Sequence, residues 1–371
     1  MAKPSLPRRT PLRRVGLIAM AVVCLLVALE IGLRVFLFQA ESIYPTALER
    51  AFVRLCAETY VPESDTFEYD PDITPPARRI RPHDLLGWTH SPGDHSGTRS
   101  YRYLWFLTAN HHQSIHIDGD GNRITSPNPA AFDGKPEIHV YGCSFCFGDG
   151  ISDEETLPWK LQESFPSYRV RNLAQCGFGT VQGLLQLRRS IELGHPPAVA
   201  IFVHNPFHMF RNYGTAGWLG RRIEGDHEKA LIARIADSGE LDLRYATLQP
   251  SLDADPPYDE ILQVTLEIYR EIGRICRENE IVPVLAAQTG VGTNANPERR
   301  RRIYRAAASD PVAVFALRRQ FVVVNMALSI HASELDPYYR VAPNDMHPNG
   351  RATSFYADKI TEALLAAGIG P

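Results

Sequence analysis

The sequence predicts an α/β protein, a three-layer sandwich in which helices cover both faces of a central parallel sheet of five strands. Two observations support this fold class. From about residue 136 onwards, short apolar segments alternate with segments of helical periodicity, and such alternation is typical of a parallel sheet buried between helices. The length of 371 residues also fits one sizeable domain with appendages.

Five short apolar runs, each followed by turn-forming residues, define the predicted strands. They are residues 137–141, 169–173, 198–204, 281–286 and 321–325. Helices are predicted at residues 154–163, 180–193, 259–278, 296–308 and 352–367. The fourth of these helices carries four consecutive arginines at 299–302. Because four consecutive residues point all round a helix, the arginines indicate a solvated face rather than a nucleic-acid site.

Other segments depart from this alternation. Residues 213–257 contain two strand-like runs around Gly239 and are interpreted as a hairpin-containing insertion into the 136–371 domain. The insertion follows the third strand at the end where open α/β sheets bind ligands, so we expect it to wall the site. Residues 81–135 predict a small β-rich extension, and residues 39–80 predict a short helix followed by an irregular juxtamembrane tether.

An apolar run near the N-terminus, residues 15–38, predicts one transmembrane helix in contact with a lipid bilayer. Residues 15–29 carry no charge, and a helix as long as the whole run spans about 36 Å, enough to cross a bilayer. The positive-inside rule then predicts a cytoplasmic basic tail at residues 1–14 and, from about residue 39, a chain outside the cytoplasm, anchored in the inner membrane. Cleavage of a signal peptide needs small residues at the first and third positions before the cut, and residues 38–40 provide only one of them. A cleaved signal peptide is therefore disfavoured.

Charge and cysteine content argue against several classes of function. The formal net charge of −3 argues against general nucleic-acid binding. Cys143 and Cys146 have the spacing of a redox or zinc motif, but no second pair with metal-ligand spacing accompanies them. We interpret both as small buried side chains and predict neither a metal nor an organic cofactor.

A serine, an aspartate and a histidine stand at positions that suit nucleophilic catalysis. Ser144 follows the first predicted strand on a loop that enters a helix, and Asp345 and His347 lie about two hundred residues downstream. A serine hydroxyl is a weak nucleophile that needs a base, and the base needs a partner that holds its tautomer. We therefore predict Ser144 as nucleophile, His347 as base and Asp345 as orienting carboxylate, with Asn344 as the alternative orienter.

Donors for a tetrahedral oxyanion are expected in the loops after the first three strands. Gly177 follows the second strand and offers a backbone amide with no side chain in the way. Asn205 follows the third strand and can donate through its side-chain amide. Together with the backbone amide of Ser144, these two residues form the predicted oxyanion hole.

Residues 136–367 resemble the SGNH (GDSL-like) hydrolase superfamily, which carries Ser, Gly, Asn and His in four ordered blocks. Segment 142–148 with 153–158 is similar to the first block, and segments 172–182, 203–205 and 345–350 are similar to the other three, in that order. Segments 86–88 and 122–123 are similar to the leader that precedes such domains in membrane-anchored bacterial members. The chain departs from the pattern because Cys143 replaces an aspartate, His204 and Pro206 flank Asn205, and Asp345 stands two positions, rather than three, before His347.

The resemblance implies an SGNH fold with a flavodoxin-like sheet. It also implies a membrane-anchored serine esterase that acts outside the cytoplasm on an acyl ester, with an O-acetyl group on an envelope carbohydrate as the expected substrate. Two alternatives stay open at this point. One is an O-acyltransferase that works with a membrane acyl-donor protein, and the other is a non-catalytic glycan-binding protein on the same fold.

Overall fold

The computed structural model describes residues 11–38, 53, 55–56, 58–76, 78–103, 107–223, 229–247, 257–288, 316–326, 339–342 and 345–371. The predicted helix at 296–308, with its arginine run, lies outside the described residues. So do Asn344, residues 1–10 of the predicted basic tail and most of the segment 39–57.

In the N-terminal part, the elements described with full bounds are one helix and seven strands. They are α1 (Pro11–Phe38), β1 (Tyr60–Tyr69), β2 (Ile80–His83), β3 (Gly87–His90), β4 (Gly93–Asp94), β5 (Gly97–Tyr103), β6 (Leu107–Gln113) and β7 (His116–Ile117). A short 3₁₀ helix, Pro129–Phe132, leads into the central region.

The rest of the chain alternates between strands and helices. Its first half comprises β8 (Glu137–Tyr141), α2 (Ser144–Phe147), α3 (Leu157–Ser164), β9 (Arg169–Asn172), α4 (Thr180–Glu192), β10 (Val199–His204), α5 (His208–Tyr213) and α6 (Ala216–Ile223). Its second half comprises β11 (Lys229–Ile235), β12 (Leu241–Thr247), α7 (Tyr258–Glu278), β13 (Val282–Ala287), β14 (Val322–Asn325), β15 (Arg340–Ala342), β16 (Asp345–Pro348) and α8 (Gly350–Ala366). Short 3₁₀ helices, Asp153–Glu155 and Ala316–Arg319, precede α3 and β14.

Five parallel strands form the central sheet in the order β14-β13-β10-β8-β9. The predicted fold class is therefore confirmed for the sheet, and the predicted strand ends differ from the observed ends by no more than one residue. Every residue of β10 is buried. This strand lies at the centre of the sheet, where both of its faces are covered.

Alternate residues of β10 enter two separate cores, one on each face of the sheet. Ile201 and Val203 pack in the core that also holds buried residues of α3 and α8. Ala200 and Phe202 pack on the other face, against buried residues of α4 and α7. Since successive side chains of a strand point to opposite faces, one apolar strand contributes to both layers of the sandwich.

The β-rich extension packs against the sheet domain. Strands β1, β5 and β6 form an antiparallel sheet, and β2 pairs with β3. Ile115 and Ile117 of the extension lie in the same core as Ile138 and Val140 of β8. The extension and the sheet domain therefore share a hydrophobic core.

The structure differs from the prediction of an irregular tether within residues 39–80, because β1 is a ten-residue strand. Its sequence is mostly polar and lacks a buried apolar face. Pairing with β5 supplies the hydrogen bonds that keep this strand in place. A period of two in hydrophobicity is the usual sign of a half-buried strand, and that sign is missing here.

The insertion at 213–257 contains the predicted hairpin, formed by β11 and β12. Ala230 and Ile232 of β11 pack with Trp88 of the extension and with Phe178 and Trp218. Alternate residues of the same strand face the core beside α7. The hairpin thus connects the extension to the loop that follows β9.

Residues 15–38, predicted as a transmembrane anchor, form most of α1. Within the described part of the chain, no helix is both long enough and apolar enough to cross a membrane. The large apolar side chains described in α1, at residues 15–29, are exposed.

Candidate active site

Ser144 lies at the first position of α2, directly after the carboxyl end of β8. The turn is tight, since a Cβ added at Gly142 would lie 2.6 Å from the Cβ of Cys146. A residue larger than glycine does not fit there without a shift. Cys143 and Cys146 are buried, as predicted from the sequence, and neither forms a disulfide. Ser144 is 7% exposed and its hydroxyl lies 2.8 Å from Nε2 of His347.

Asp345 and His347 lie on β16, a strand that pairs with β15. Alternate residues of a strand share a face, so a separation of two places both side chains on the same side. Asp345 Oδ1 lies 2.5 Å from Nδ1 of His347 and accepts a second hydrogen bond, of 3.0 Å, from its backbone N–H. The strand conformation explains how a spacing of two positions, rather than the three of the family pattern, still brings the Asp345 carboxylate to the His347 imidazole.

The pKa values of this pair reflect both burial and mutual attraction. Burial raises the pKa of Asp345, but hydrogen bonds and charge from His347 and a hydrogen bond from Arg99 outweigh it and hold that pKa far below its ordinary value. Burial lowers the pKa of His347, but Asp345 and Asp149 outweigh it and raise that pKa above 6.5. The carboxylate is therefore ionised, and the imidazole takes up a proton more readily than a free histidine.

Arg99 contacts the orienting carboxylate from the extension. This residue of β5 donates through Nη1 to Asp345 Oδ2 at 2.7 Å. Its Nε and Nη2 donate to the two oxygens of Asp65 at 2.9 and 2.6 Å. The sequence prediction missed this contact because 246 residues separate its partners. No local motif signals such a pair.

Asp149 and Arg79 form a second charged pair beside the imidazole. Asp149 Oδ1 accepts a 2.5 Å hydrogen bond from Nη2 of Arg79, and its Oδ2 lies 3.9 Å from Nε2 of His347. Burial raises the pKa of Asp149, but Arg79 and His347 outweigh it and lower that pKa to about 2. The sequence analysis did not single out Asp149, because a lone aspartate beside glycines is typical of turns.

The three predicted oxyanion-hole residues follow three neighbouring strands. Ser144 follows β8, Gly177 follows β9 and Asn205 follows β10, and β8 lies between the other two strands. Because the strands are parallel, these residues share one edge of the sheet. Gly177 has a φ of +86°, in the left-handed region that favours glycine.

Asn205 is fully buried and its amide is held in place by a neighbouring strand end. Its Nδ2 donates to Oε1 of Gln288 at 2.6 Å and lies 3.8 Å from Sγ of Cys143. Cys143 directly precedes the nucleophile, so the asparagine amide lies beside the site. The sequence prediction missed Gln288, which follows β13 at the same edge of the sheet.

Aromatic side chains form one wall of the site. The Phe145 ring lies 4.8 Å from the His347 ring and 5.3 Å from the Phe207 ring, measured between centroids. The Arg211 guanidinium lies 4.4 Å from the Phe207 ring centroid. Among the described residues, no group of three or more His, Cys, Asp or Glu side chains is arranged to hold a metal ion.

Comparison with known proteins gives matches to solved structures alone. No family model matches the chain, and no curated protein matches it. A G-D-S-L family lipolytic protein from Veillonella parvula is 9% identical, with a TM-score of 0.37 over 61% of this chain and 96% of that chain. A psychrotrophic esterase from a Pseudoalteromonas species is 12% identical, with a TM-score of 0.36 over 63% and 98% of the two chains.

A third solved structure is the C-terminal catalytic domain of peptidoglycan O-acetyltransferase A from Streptococcus pneumoniae. It is 11% identical, with a TM-score of 0.34 over 64% of this chain and 97% of that domain. Similarities at these TM-scores carry no inference about the chemistry of this chain.

Proposed function

We propose that the protein is an SGNH-type serine esterase that cleaves an acyl ester through Ser144. The observation that carries the proposal is the unbroken hydrogen-bonded series from the Ser144 hydroxyl to the His347 imidazole and the Asp345 carboxylate, with distances of 2.8 and 2.5 Å. Nucleophile, base and orienter are the three parts that acyl transfer through a serine needs.

The reaction begins when Oγ of Ser144 attacks the ester carbonyl carbon and its proton passes to Nε2 of His347. Asp345 stabilises the imidazolium that forms and keeps Nδ1 protonated. The imidazolium then gives its proton to the departing alcohol oxygen as the ester C–O bond breaks. Water attacks the acyl-enzyme and gives one proton to Nε2. The imidazolium then returns this proton to Oγ as the bond between the acyl carbon and Oγ breaks, which releases the acid and restores the Ser144 hydroxyl.

The negative charge on the carbonyl oxygen in the tetrahedral states needs hydrogen-bond donors. The backbone amides of Ser144 and Gly177 and the side-chain amide of Asn205 are the proposed donors, because they lie on three neighbouring strand ends. For Asn205 to serve, the oxyanion would replace the long 3.8 Å contact of Nδ2 with Cys143, while the contact with Gln288 stays. Loss of one such donor typically costs about 10²–10³-fold in turnover.

We propose an O-acetyl ester on an envelope carbohydrate as the substrate. The SGNH resemblance of the chain supports this substrate class, and the aromatic wall of Phe145 and Phe207 offers flat surfaces for a sugar ring or an acyl group. Transfer of the acyl group to a second sugar uses the same triad and differs only in which acceptor reaches the acyl-enzyme. Product analysis with and without an acceptor glycan separates hydrolysis from transfer.

Attachment to the inner membrane through residues 15–38, with the enzyme outside the cytoplasm, is a further part of the proposal. It is supported by the apolar sequence of this segment and by the basic residues that precede it. Fractionation of cells, followed by protease treatment of intact spheroplasts, tests it. A chain recovered in the cytosol, or one protected from the protease in spheroplasts, would contradict it.

The reaction is tested with the full chain, a short-chain nitrophenyl ester and a fluorophosphonate probe. We expect the wild-type chain to cleave the ester and to be labelled at Ser144, and Ser144→Ala to lose both properties. Ser164→Ala is the control, because the Ser164 hydroxyl donates to the carbonyl of Lys160 within α3. Equal cleavage by the wild-type chain and Ser144→Ala would refute the mechanism. A chain that binds glycan but is never labelled would favour a non-catalytic binding protein.

A further inference from the structure

We propose that Arg99 is a positioning residue for the catalytic triad, and that the β-rich extension therefore belongs to the catalytic unit. The inference rests on the proposed function, because it assigns Arg99 a role in the reaction of Ser144. Its basis is the hydrogen-bonded series that runs from the extension through Asp345 to the imidazole of His347.

The two oxygens of Asp345 have separate partners. Oδ1 accepts from the backbone and the ring of His347, and Oδ2 accepts from Arg99. A carboxylate bound at only one oxygen can still rotate about its side-chain bonds. Bound at both oxygens, it keeps one orientation toward Nδ1, and the imidazole stays directed at Ser144.

Arg99 is itself held by side chains of β1, the strand that pairs with β5. Its Nε and Nη2 bind both oxygens of Asp65, and Asp65 accepts a 2.8 Å hydrogen bond from the hydroxyl of Tyr60. Arginine suits this place because its planar guanidinium presents donors in a fixed fork. The Arg99 side chain is 15% exposed, so solvent screens these contacts only partly.

The charges around the imidazole indicate the consequence of removing Arg99. His347 faces Asp345 on its own strand, Asp149 in the turn after α2 and Arg211 on α5. Arg79 pairs with Asp149, and Arg99 with Asp345 and Asp65. Without Arg99, Asp345 keeps its negative charge and loses its compensating cation, so the imidazolium becomes more stable.

A purely structural role is the competing explanation, since Arg99 also ties β5 and β1 to β16. The two roles predict different results for substitutions in the full chain. Arg99→Gln removes the charge and the fork, and Arg99→Lys restores the charge without the fork. Arg102→Gln is the matched control, because Arg102 lies on the same strand and its side chain is exposed.

We expect Arg99→Gln to lower kcat by about 10- to 100-fold, the typical effect of removing an outer partner of a functional ligand. KM should stay within a few-fold of the wild-type value, and the acid limb of kcat/KM should move to higher pH. Arg99→Lys should recover the position of that limb and only part of kcat. Arg102→Gln should leave every one of these quantities unchanged.

Titration of the His347 ring by NMR keeps the test independent of ester cleavage. If the wild-type chain cleaves no ester, the proposed function fails. A higher His347 pKa in Arg99→Gln would still support the electrostatic contact, and an unchanged pKa would refute it. In an active chain, unaltered kcat and pH dependence in Arg99→Gln would overturn the inference. The inference would also be overturned if the loss of kcat in Arg99→Gln matched a fall in its thermal unfolding midpoint and disappeared when the assay was cooled.

Discussion

His347 faces two carboxylates, and their charges set the pH range in which it can accept a proton. Asp345 binds Nδ1, and Asp149 lies 3.9 Å from Nε2. Because only the neutral imidazole acts as a base, activity falls as the pH falls through the pKa of His347. That pKa is raised above 6.5. The acid limb of kcat/KM should therefore have its midpoint above about 6.5, the value of an unperturbed histidine.

Substitutions of Asp149 and Arg79, the charged pair beside the His347 imidazole, should move the midpoint of the acid limb in opposite directions. Asp149→Asn removes a negative charge and frees the Arg79 cation, so the imidazolium is destabilised and the midpoint moves to lower pH. Arg79→Gln frees the Asp149 charge, and the midpoint moves to higher pH. Asp133→Asn, which disrupts an exposed pair with Arg169, is the control. Shifts of both variants in the same direction would contradict this account.

Replacement of the orienting carboxylate tests the assignment of the triad. Asp345→Asn keeps the shape of the side chain but no longer stabilises the imidazolium, and it favours the wrong tautomer. We expect a folded chain with turnover reduced by about 10⁴-fold, as in the best-studied serine triad. Asn344→Ala, at the adjacent position, should have little effect. Steady-state kinetics and circular dichroism check both variants, and greater damage from Asn344→Ala would make Asn344 the orienter.

The residues of the site divide into those that sequence reasoning reached and those it could not reach. Ser144 and His347 were singled out from short local segments, and the folded chain brings the Ser144 hydroxyl within 2.8 Å of Nε2 of His347. Arg99 and Gln288 act through contacts with Asp345 and Asn205 that only the folded chain creates. Their own neighbours in sequence carry no sign of that role.

Secondary-structure elements were predictable where one physical rule dominated. The buried parallel strands are short apolar runs, and their ends were predicted to within one residue. Strand β1 was missed because pairing with β5, rather than burial, holds it. The β11–β12 hairpin was predicted from its turn, but its packing on Trp88 was not, since that contact joins distant segments.

The loop after β9, residues 173–179, depends on the extension for its conformation. Trp88 Nε1 donates to the carbonyl of Cys176 at 2.9 Å. Gln175 accepts from the backbone N–H of His90 at 3.0 Å and donates to the carbonyl of Gly121 at 2.7 Å. These contacts hold the loop that carries the proposed oxyanion donor Gly177. The extension therefore contacts the proposed triad, through Arg99, and also the proposed oxyanion hole.

Trp88→Phe tests this support. Phenylalanine keeps most of the apolar contact but leaves the Cys176 carbonyl without its donor, which typically costs about 1–3 kcal/mol. We expect lower kcat, an unchanged KM and an unchanged pH midpoint, because the imidazole is not involved. Trp159→Phe is the control, since the Trp159 ring nitrogen bonds to Glu163 in an exposed pair. Urea unfolding measures the change in stability, and steady-state kinetics measure kcat, KM and the pH midpoint. A wild-type kcat in Trp88→Phe would argue against support of the loop.

At the scale of the whole molecule, one buried guanidinium joins the extension to the segment after the nucleophile. Arg123 is 1% exposed and donates to the Asp153 carboxylate at 2.6 Å. It also donates to the carbonyls of Gly148 and Ile151, at 2.5 and 2.6 Å. Removing one partner of a buried ion pair leaves an uncompensated charge and typically costs about 3–5 kcal/mol.

A chain that starts at residue 136 should therefore not fold into an active enzyme, although it contains every residue of the proposed triad and oxyanion hole. It lacks Arg123, so the Asp153 carboxylate loses its guanidinium partner and the carbonyls of Gly148 and Ile151 lose the Arg123 donors, and it also lacks Ile115 and Ile117 of the shared core. A chain that starts at residue 51 keeps all of these groups and should have full activity. Thermal unfolding followed by circular dichroism, together with labelling by the fluorophosphonate probe, distinguishes the two. Stable folding and labelling of the 136–371 chain would show that the extension is dispensable, because in that chain neither Arg99 nor Trp88 is present to position the site.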